Sequence, residues 1–93
     1  MATGKLIAAQ WQLFPNPVRN AQFTVNLELL YATELDARIV SATGGIAAAE
    51  HFSELPQGLT TLSFELGDFP VGMYYLNLRN EVGVLTIPFV VGQ

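Results

Sequence analysis

The sequence predicts an all-β fold, a seven-stranded antiparallel β-sandwich of the immunoglobulin-like kind, and three observations support it. Apolar and polar residues alternate along most of the chain, which is the period of strands that are buried on one face. Turn-forming residues recur roughly every 8–12 residues, a spacing that is typical of sandwiches. No segment shows the apolar spacing that an amphipathic helix needs.

The first two strands are separated by a segment with two prolines. A first strand is predicted at residues 10–14 and a second at residues 21–29, where the alternation is clearest. Pro15 and Pro17 fix φ at about −65° and have no N–H to donate. We therefore expect LFPNPV (13–18) to be a stiff connector that does not pair, and that re-aims the chain into a second strand, which could lie in the other sheet.

The other five strands are bounded by turn signals. They are expected at residues 34–40, 46–55, 59–66, 73–79 and 84–91, with turns or loops at 43–45, 56–58, 67–72 and 80–83. The alanines at 47–49 would permit a helix, but the hairpin context favours a strand. Pro88 lies in the last strand and cannot donate to a ladder, so that strand is expected at a sheet edge.

The inward-facing positions of these strands predict the core. We expect it to contain Trp11, Phe23, Val25, Leu27, Ile39, Phe64, Leu66, Tyr74, Leu76, Leu78 and Phe89. Tyr74 lies near the start of the penultimate strand, where sandwiches commonly place a tyrosine corner. Its ring should be buried and its hydroxyl should bond a nearby backbone group, because a buried phenol needs a partner.

Composition limits the function classes. At 93 residues and 51% apolar, the chain is one ordered domain, and its 13% of charged residues is about half the usual share. The net charge is −4 and the four basic residues are scattered, so no nucleic-acid surface is expected. There is no cysteine, no apolar run of about 20 residues and no convincing signal peptide. We interpret residues 1–10 as a linker or artificial start and 11–93 as the domain.

The sequence does not suggest catalytic chemistry. His51 is the only histidine, and the nearby Glu50 and Glu54 are expected to project to the opposite face of its strand. We therefore predict no metal site, no cofactor and no catalytic residue, so the chain is not expected to be an enzyme. Exposed aromatic residues of a sugar-binding module could be drawn from Trp11, Tyr31, Tyr74 and Tyr75, although burial in the core accounts better for most of them.

Four motifs in a fixed order resemble the C-terminal sorting domain of the type IX secretion system, type A. They are Pro15-Asn16-Pro17 between a short strand and an alternating strand (23–29), a central turn with Gly44, FPVGMYYLNL (69–78) with Gly72 and Tyr74, and a closing strand with Phe89, Val90 and Val91. The resemblance covers about residues 11–93. The central turn lacks the usual acid and the base after glycine, and the chain ends in Gly92-Gln93 where the family often has a lysine.

The resemblance implies an address label without catalysis. The domain would guide an upstream cargo domain from the periplasm through an outer-membrane translocon, with a shuttle protein, to the outer membrane, cell surface or extracellular space. A sortase-type cysteine protease would then remove it, and we expect cleavage within residues 2–10. The translocon is expected to read the last strand and its neighbours, the turn 80–83 and the FPVG loop. The recognised residues would include Phe89, Val90, Val91, Gly92 and Gln93.

Other readings remain open. The domain could instead be an immunoglobulin-like accessory or binding module of a surface enzyme or adhesin, and the upstream part of the full gene would discriminate. A start at Met1 without a signal peptide fits an excised piece of a longer protein or a short free-standing one. Low surface charge and exposed edges also predict weak or strand-swapped homodimers, with Pro88 blunting one edge.

Overall fold

The computed structural model describes residues 7–92, which form seven antiparallel strands in two sheets. The strands are β1 (Ala8–Phe14), β2 (Gln22–Leu29), β3 (Thr33–Ser41), β4 (Ile46–Leu55), β5 (Gly58–Glu65), β6 (Gly72–Arg79) and β7 (Val84–Val91). One sheet has the order β1-β2-β5 and the other β4-β3-β6-β7. The predicted all-β sandwich is confirmed, and the alanine-rich segment is strand. Within the described residues, no helix is long and apolar enough to cross a membrane.

The inner faces of the two sheets enclose one hydrophobic core. Every predicted core residue except Trp11 is buried. Six aromatic rings form a series whose neighbouring centroids lie 4.8–5.8 Å apart, in the order Phe52, Phe64, Phe23, Phe89, Tyr74 and Phe69. Because the series crosses from one sheet to the other, its ring contacts stabilise the sandwich beyond the burial of apolar area.

The expectation that Trp11 belongs to the core is wrong, because its side chain is 44% exposed. Trp11 lies opposite the buried Leu27 in the β1–β2 ladder, so both side chains are on the inner face. However, β1 is an edge strand, and the second sheet covers that edge only in part. Alternation in the sequence identifies a face of a strand but does not reveal which strands lie at an edge.

β1 begins at Ala8 rather than at the predicted Gln10. Ile7 and Ala8 are buried, and the Ile7 carbonyl accepts a hydrogen bond from the Leu30 N–H at 3.1 Å. A register shift between Ala8 and Gln10 interrupts the alternation, which is why the sequence pattern missed the start. The sandwich therefore includes Ile7, whereas residues 2–6 of the expected cleavage segment lie outside the described residues.

β7 lies at an edge of its sheet, as Pro88 predicted. Its only ladder among the described strands is with β6, where Pro88 is opposite Tyr75. In an antiparallel ladder, the N–H and C=O of alternate residues both point away from the partner strand. Val90 has this outward orientation, and so does Pro88 by the alternation. The missing N–H of the proline therefore removes no bond to β6.

The connections between strands alternate between the two ends of the sandwich. We call one end the motif end; it comprises residues 15–18, 41–45, 69–74 and 89–92. The turn 80–83 lies at the opposite end, because β6 runs from the motif end to that turn. A strand of this length spans roughly 25 Å. The structure therefore does not bring the turn 80–83 and the FPVG loop into one surface, although β7 reaches both ends.

Candidate functional site

Residues that are far apart in the sequence meet at the motif end. Gly72, at the start of β6, lies opposite Val91 at the end of β7. The central turn joins them because the Ala42 N–H donates to the Met73 carbonyl at 3.0 Å. From the proline segment, Val18 forms a parallel bridge with Val91. All four sequence motifs therefore contribute to one region of the surface.

Asn16 and Val18 bind the outer edge of β7. The Val90 N–H donates to Asn16 Oδ1 at 3.1 Å, and the Val18 N–H donates to the Val90 carbonyl at 2.8 Å. The Gly92 N–H in turn donates to the Val18 carbonyl at 2.8 Å. The expectation of a connector that does not pair is therefore wrong. The prolines have no N–H to donate, but the Asn16 side chain and the Val18 backbone make the bonds.

The proline segment contacts one sheet while it links two strands of the other. β1 and β2 are neighbours in the same sheet, so the possibility that the second strand lies in the other sheet is wrong. Pro15 and Pro17 each follow a cis peptide bond. Gly92 packs closely on Pro17, since a Cβ added at Gly92 would lie 3.2 Å from the Pro17 Cβ. A glycine at this position therefore permits the close approach of the two segments.

Tyr74 fixes the FPVG loop against the core. Its side chain is 5% exposed, and its hydroxyl donates to the Pro70 carbonyl at 2.6 Å. The ring packs between Phe69 and Phe89, with centroid distances of 5.3 and 5.8 Å. The predicted burial of Tyr74 and its hydrogen bond to a nearby backbone group are both confirmed. By contrast, Tyr75 is 37% exposed, so it contributes to the surface rather than to the core.

The central turn is closed by hydroxyl groups. The Gly44 N–H donates to the Ser41 carbonyl at 2.9 Å, and Gly44 has a φ of 101°, which only glycine adopts without strain. Ser41 Oγ accepts from the Gly45 N–H at 3.2 Å and shares a hydrogen bond of 2.9 Å with Thr43 Oγ1. Short polar side chains therefore close this turn without an acidic residue.

A second polar cluster lies on the outer face of the four-stranded sheet, away from the motif end. His51 Nδ1 lies 2.6 Å from Asp36 Oδ1, and Nε2 lies 2.9 Å from Glu34 Oε1. The hydrogen bond to Asp36 is the main cause of a raised pKa of His51; desolvation opposes it, and the negative charges of Asp36 and Glu34 and the hydrogen bond to Glu34 add to it. In the part of the chain that the structure describes, no group of three or more acidic, histidine or cysteine residues could hold a metal ion.

This cluster was not expected from the sequence, because the partners of His51 are not among its neighbours along the chain. Glu50 and Glu54 flank the histidine in sequence, but its partners come from the neighbouring strand β3. Counting outward from the centre of the 41–45 turn would have placed Asp36 opposite Glu50. A register shift between Ile39 and Val40 places His51 opposite Asp36 instead, and the sequence pattern does not reveal that shift.

Comparison with known proteins identifies the chain. A family model described as the secretion system C-terminal sorting domain matches residues 12–92, which include every motif of the motif end. Comparison with curated proteins returns no match. Domains of this family are sorting signals, non-catalytic in general, that engage the secretion machinery on the way to the outer membrane and the cell surface or extracellular space. The chain therefore belongs to the type IX secretion C-terminal sorting domains.

Proposed function

We propose that this domain directs an attached cargo protein from the periplasm across the outer membrane through the type IX translocon, and that it acts as a folded label without catalysis or cofactor. The observation that carries the proposal is the motif end itself. Residues from the first and the last parts of a family match over 12–92 meet there around the end of β7. A surface of this kind exists only in the folded domain.

Within the motif end, we assign different roles to neighbouring residues. Phe89 and Val91 are 1% and 7% exposed, so they hold β7 in place rather than contact a partner. Val90 is 38% exposed and Gly92 is partly exposed, so these two are available to the translocon or its shuttle protein. Gln93, which the sequence also predicted as a contact, lies outside the described residues. Pro15, Asn16, Pro17, Gly44, Gly72 and Tyr74 would act by shaping this surface.

Removal of the domain by a sortase-type cysteine protease is the next step of the proposal. A protease needs extended and accessible backbone. Ile7 and Ala8 are buried and Ile7 is bonded to Leu30, so cleavage is expected before Ile7, within the earlier part of the predicted segment 2–10. Mass spectrometry of the released cargo would check this. A cargo C-terminus beyond Pro17 would contradict it.

Weak or strand-swapped homodimers remain part of the proposal. β4 and β5 are edge strands, and edges offer unpaired backbone groups to a second chain. The edge of β7 is less available for pairing with a second chain, because Pro88 has no N–H to donate. In addition, the N–H and carbonyl of Val90 are already hydrogen-bonded to Asn16 and Val18. Light scattering over a range of concentrations would test this. A protein that stays monomeric at millimolar concentration would argue against self-association.

The export experiment uses a reporter protein with its own signal peptide, fused to residues 1–93 in a bacterium that has a type IX system. We expect the reporter outside the cell with the intact domain. After deletion of residues 84–93, or in the same host without the translocon, we expect it in the periplasm. The variant Leu35→Ala, in the core of β3, controls for loss of stability alone. If export survives deletion of the whole of β7, the domain is not the signal, and the accessory-module reading replaces it.

A further inference from the structure

We infer that residues 15–18 form a latch on the end of β7, so that the C-terminal part of the sorting signal becomes ordered only when the start of the domain has folded onto it. The inference deepens the proposed function and rests on it for its biological meaning. The latch itself can be tested without export, so the two can fail separately.

The chain continues past the end of β7, beyond the last residue that pairs with β6. The last pair of the β6–β7 ladder is Gly72 with Val91, so Gly92 lies beyond it. By the alternation along the chain, Gly92 has the same outward orientation as Val90, and its N–H bonds the Val18 carbonyl at 2.8 Å on the side away from β6. The latch therefore supplies the hydrogen bond that holds Gly92.

The latch forms hydrogen bonds with both outward backbone groups of Val90. Its N–H donates to Asn16 Oδ1 at 3.1 Å, and its carbonyl accepts from the Val18 N–H at 2.8 Å. The Asn16 amide oxygen takes the place that a carbonyl of a neighbouring strand would take. An edge strand normally leaves these groups to water or to another chain. Residues 15–18 therefore act as a short additional strand at the end of β7.

The latch is stiff. Pro15 and Pro17 flank Asn16 and restrict the backbone on both sides of it. A restricted segment loses less conformational freedom when it binds, so each of its bonds stabilises the assembly more. Pro17 also packs closely against Gly92, since a Cβ at Gly92 would have to displace Pro17 by a few tenths of an ångström. The prolines, Asn16 and Gly92 thus all contribute to one contact between the latch and the residues at the end of β7.

The latch joins the two most distant parts of the sorting domain. Asn16 and Val90 are separated by 74 residues, so their bond closes a loop that includes nearly the whole domain. A contact of this range forms only after the intervening strands have folded, because the entropy of loop closure must first be overcome. Order at the end of β7 therefore reports that the domain is folded, and an unfolded domain lacks the ordered signal.

The first test measures amide hydrogen exchange in the isolated 93-residue protein. Asn16→Ala removes the acceptor, whereas Asn16→Asp keeps an oxygen at the same position. We expect the Val90 amide to exchange roughly 3- to 10-fold faster in Asn16→Ala, as the loss of one hydrogen bond implies, and near the wild-type rate in Asn16→Asp. Amides of the central strand β2 serve as the internal reference. Equal protection of Val90 in all three proteins would overturn the inference.

A second pair of variants tests the latch from the other side. Gly92→Ala would bring its Cβ to 3.2 Å from Pro17, whereas Gly45→Ala would bring it only to 3.7 Å from Ser41 Oγ, an ordinary contact. We expect faster exchange at Val90 in Gly92→Ala and no change in Gly45→Ala. Because these variants leave Asn16 in place, they test the latch even if Asn16→Ala folds poorly. An unchanged Val90 rate in Gly92→Ala would count against the latch.

Export of the reporter fusion then separates the two proposals. We expect several-fold less export for Asn16→Ala and Gly92→Ala, and export close to the wild-type level for Asn16→Asp. If the wild-type domain is not exported, the proposed function fails and the role of the latch in sorting fails with it. If Asn16→Ala loses protection at Val90 but is exported like the wild type, only the role of the latch is overturned.

Discussion

Two asparagine side chains, at opposite ends of the sandwich, both accept hydrogen bonds from backbone N–H groups. The groups that they bind lie at very different distances along the chain. Asn80 Oδ1 accepts from the Val82 and Gly83 N–H groups at 2.8 and 3.1 Å and thereby closes its own turn. Asn16 Oδ1 accepts from the Val90 N–H, 74 residues away. The first asparagine stabilises local structure, and the second joins the N-terminal and C-terminal parts of the chain.

The difference shows why the motif end suits a signal that must be read in the folded state. Asn80 also donates to Thr33 Oγ1 at 3.1 Å and to the Tyr31 hydroxyl at 3.4 Å, so its network ties the turn to the start of β3. Its backbone contacts, however, can form as soon as the turn does. The contacts of Asn16 require the complete fold. A partner that reads the motif end therefore discriminates folded from unfolded domains.

The largest effect is expected from loss of the ring that anchors the motif end. Phe89→Ala removes contacts with Phe23 and Tyr74, whose centroids lie 4.8 and 5.8 Å away, and should lower the free energy of unfolding by about 3–5 kcal/mol. Urea denaturation measures it. Leu85 lies in the same strand towards the opposite end and is only partly buried, so Leu85→Ala should lower the free energy of unfolding clearly less. An equal cost for both would mean that the motif end is not the better-packed end.

At the opposite end, Asn80→Ala should lower the free energy of unfolding by roughly 1–2 kcal/mol, because two backbone N–H groups lose their acceptor. Asn80→Asp keeps oxygen acceptors but loses the two Nδ2 donor bonds, so we expect a smaller loss. Thermal denaturation of both variants is the measurement. An unchanged melting temperature in Asn80→Ala would show that the hydrogen bonds of Asn80 do not stabilise the domain.

Tyr74→Phe tests one hydrogen bond of the motif end without changing its packing. The variant keeps the buried ring and loses the bond to the Pro70 carbonyl, so the free energy of unfolding should fall by roughly 0.5–1.5 kcal/mol. Chemical denaturation with the wild type measured in parallel would show it. If the unfolding midpoint does not move, the FPVG loop is held by its apolar contacts rather than by this bond.

The smallest effect is expected at the exposed His51 cluster. The folded-state pKa of His51 is raised by Asp36 and Glu34, so its contribution to stability is complete below the ordinary histidine pKa of about 6.5 and is lost as the pH rises through the raised value. Arg79, opposite Asp36 on β6, adds a neighbouring charge of the opposite sign to Asp36. His51→Gln should remove this part of the pH dependence. Identical pH profiles of stability for wild type and variant would contradict the assignment.

Most of the fold could be predicted because burial on one face imposes a period of two on the sequence. Phe23, Val25 and Leu27 show this directly, and all three are buried. Trp11 was placed wrongly because the same pattern occurs on an edge strand, where the facing sheet covers less. The start of β1 was missed because a register shift at Ala8 breaks the pattern.

The contacts of the candidate site were harder to predict. The sequence shows that Pro15 and Pro17 cannot donate, but it does not show that Asn16 and Val18 make bonds in their place. No periodicity connects Asn16 to Val90, since their pairing depends on how two sheets are stacked. The family resemblance marked most of these positions, whereas only the three-dimensional structure shows which of them touch.

The most direct test of the account compares export with stability in Asn16→Ala and Asn80→Ala. Melting temperature and the fraction of reporter outside the cell are measured for both variants in the same host. The account predicts that Asn80→Ala keeps export close to the wild-type level despite its lower melting temperature. It predicts that Asn16→Ala loses export several-fold even if its melting temperature is the higher of the two. Export that simply follows melting temperature, with Asn80→Ala the poorer substrate, would contradict the claim that the motif end is the part of the domain that is read.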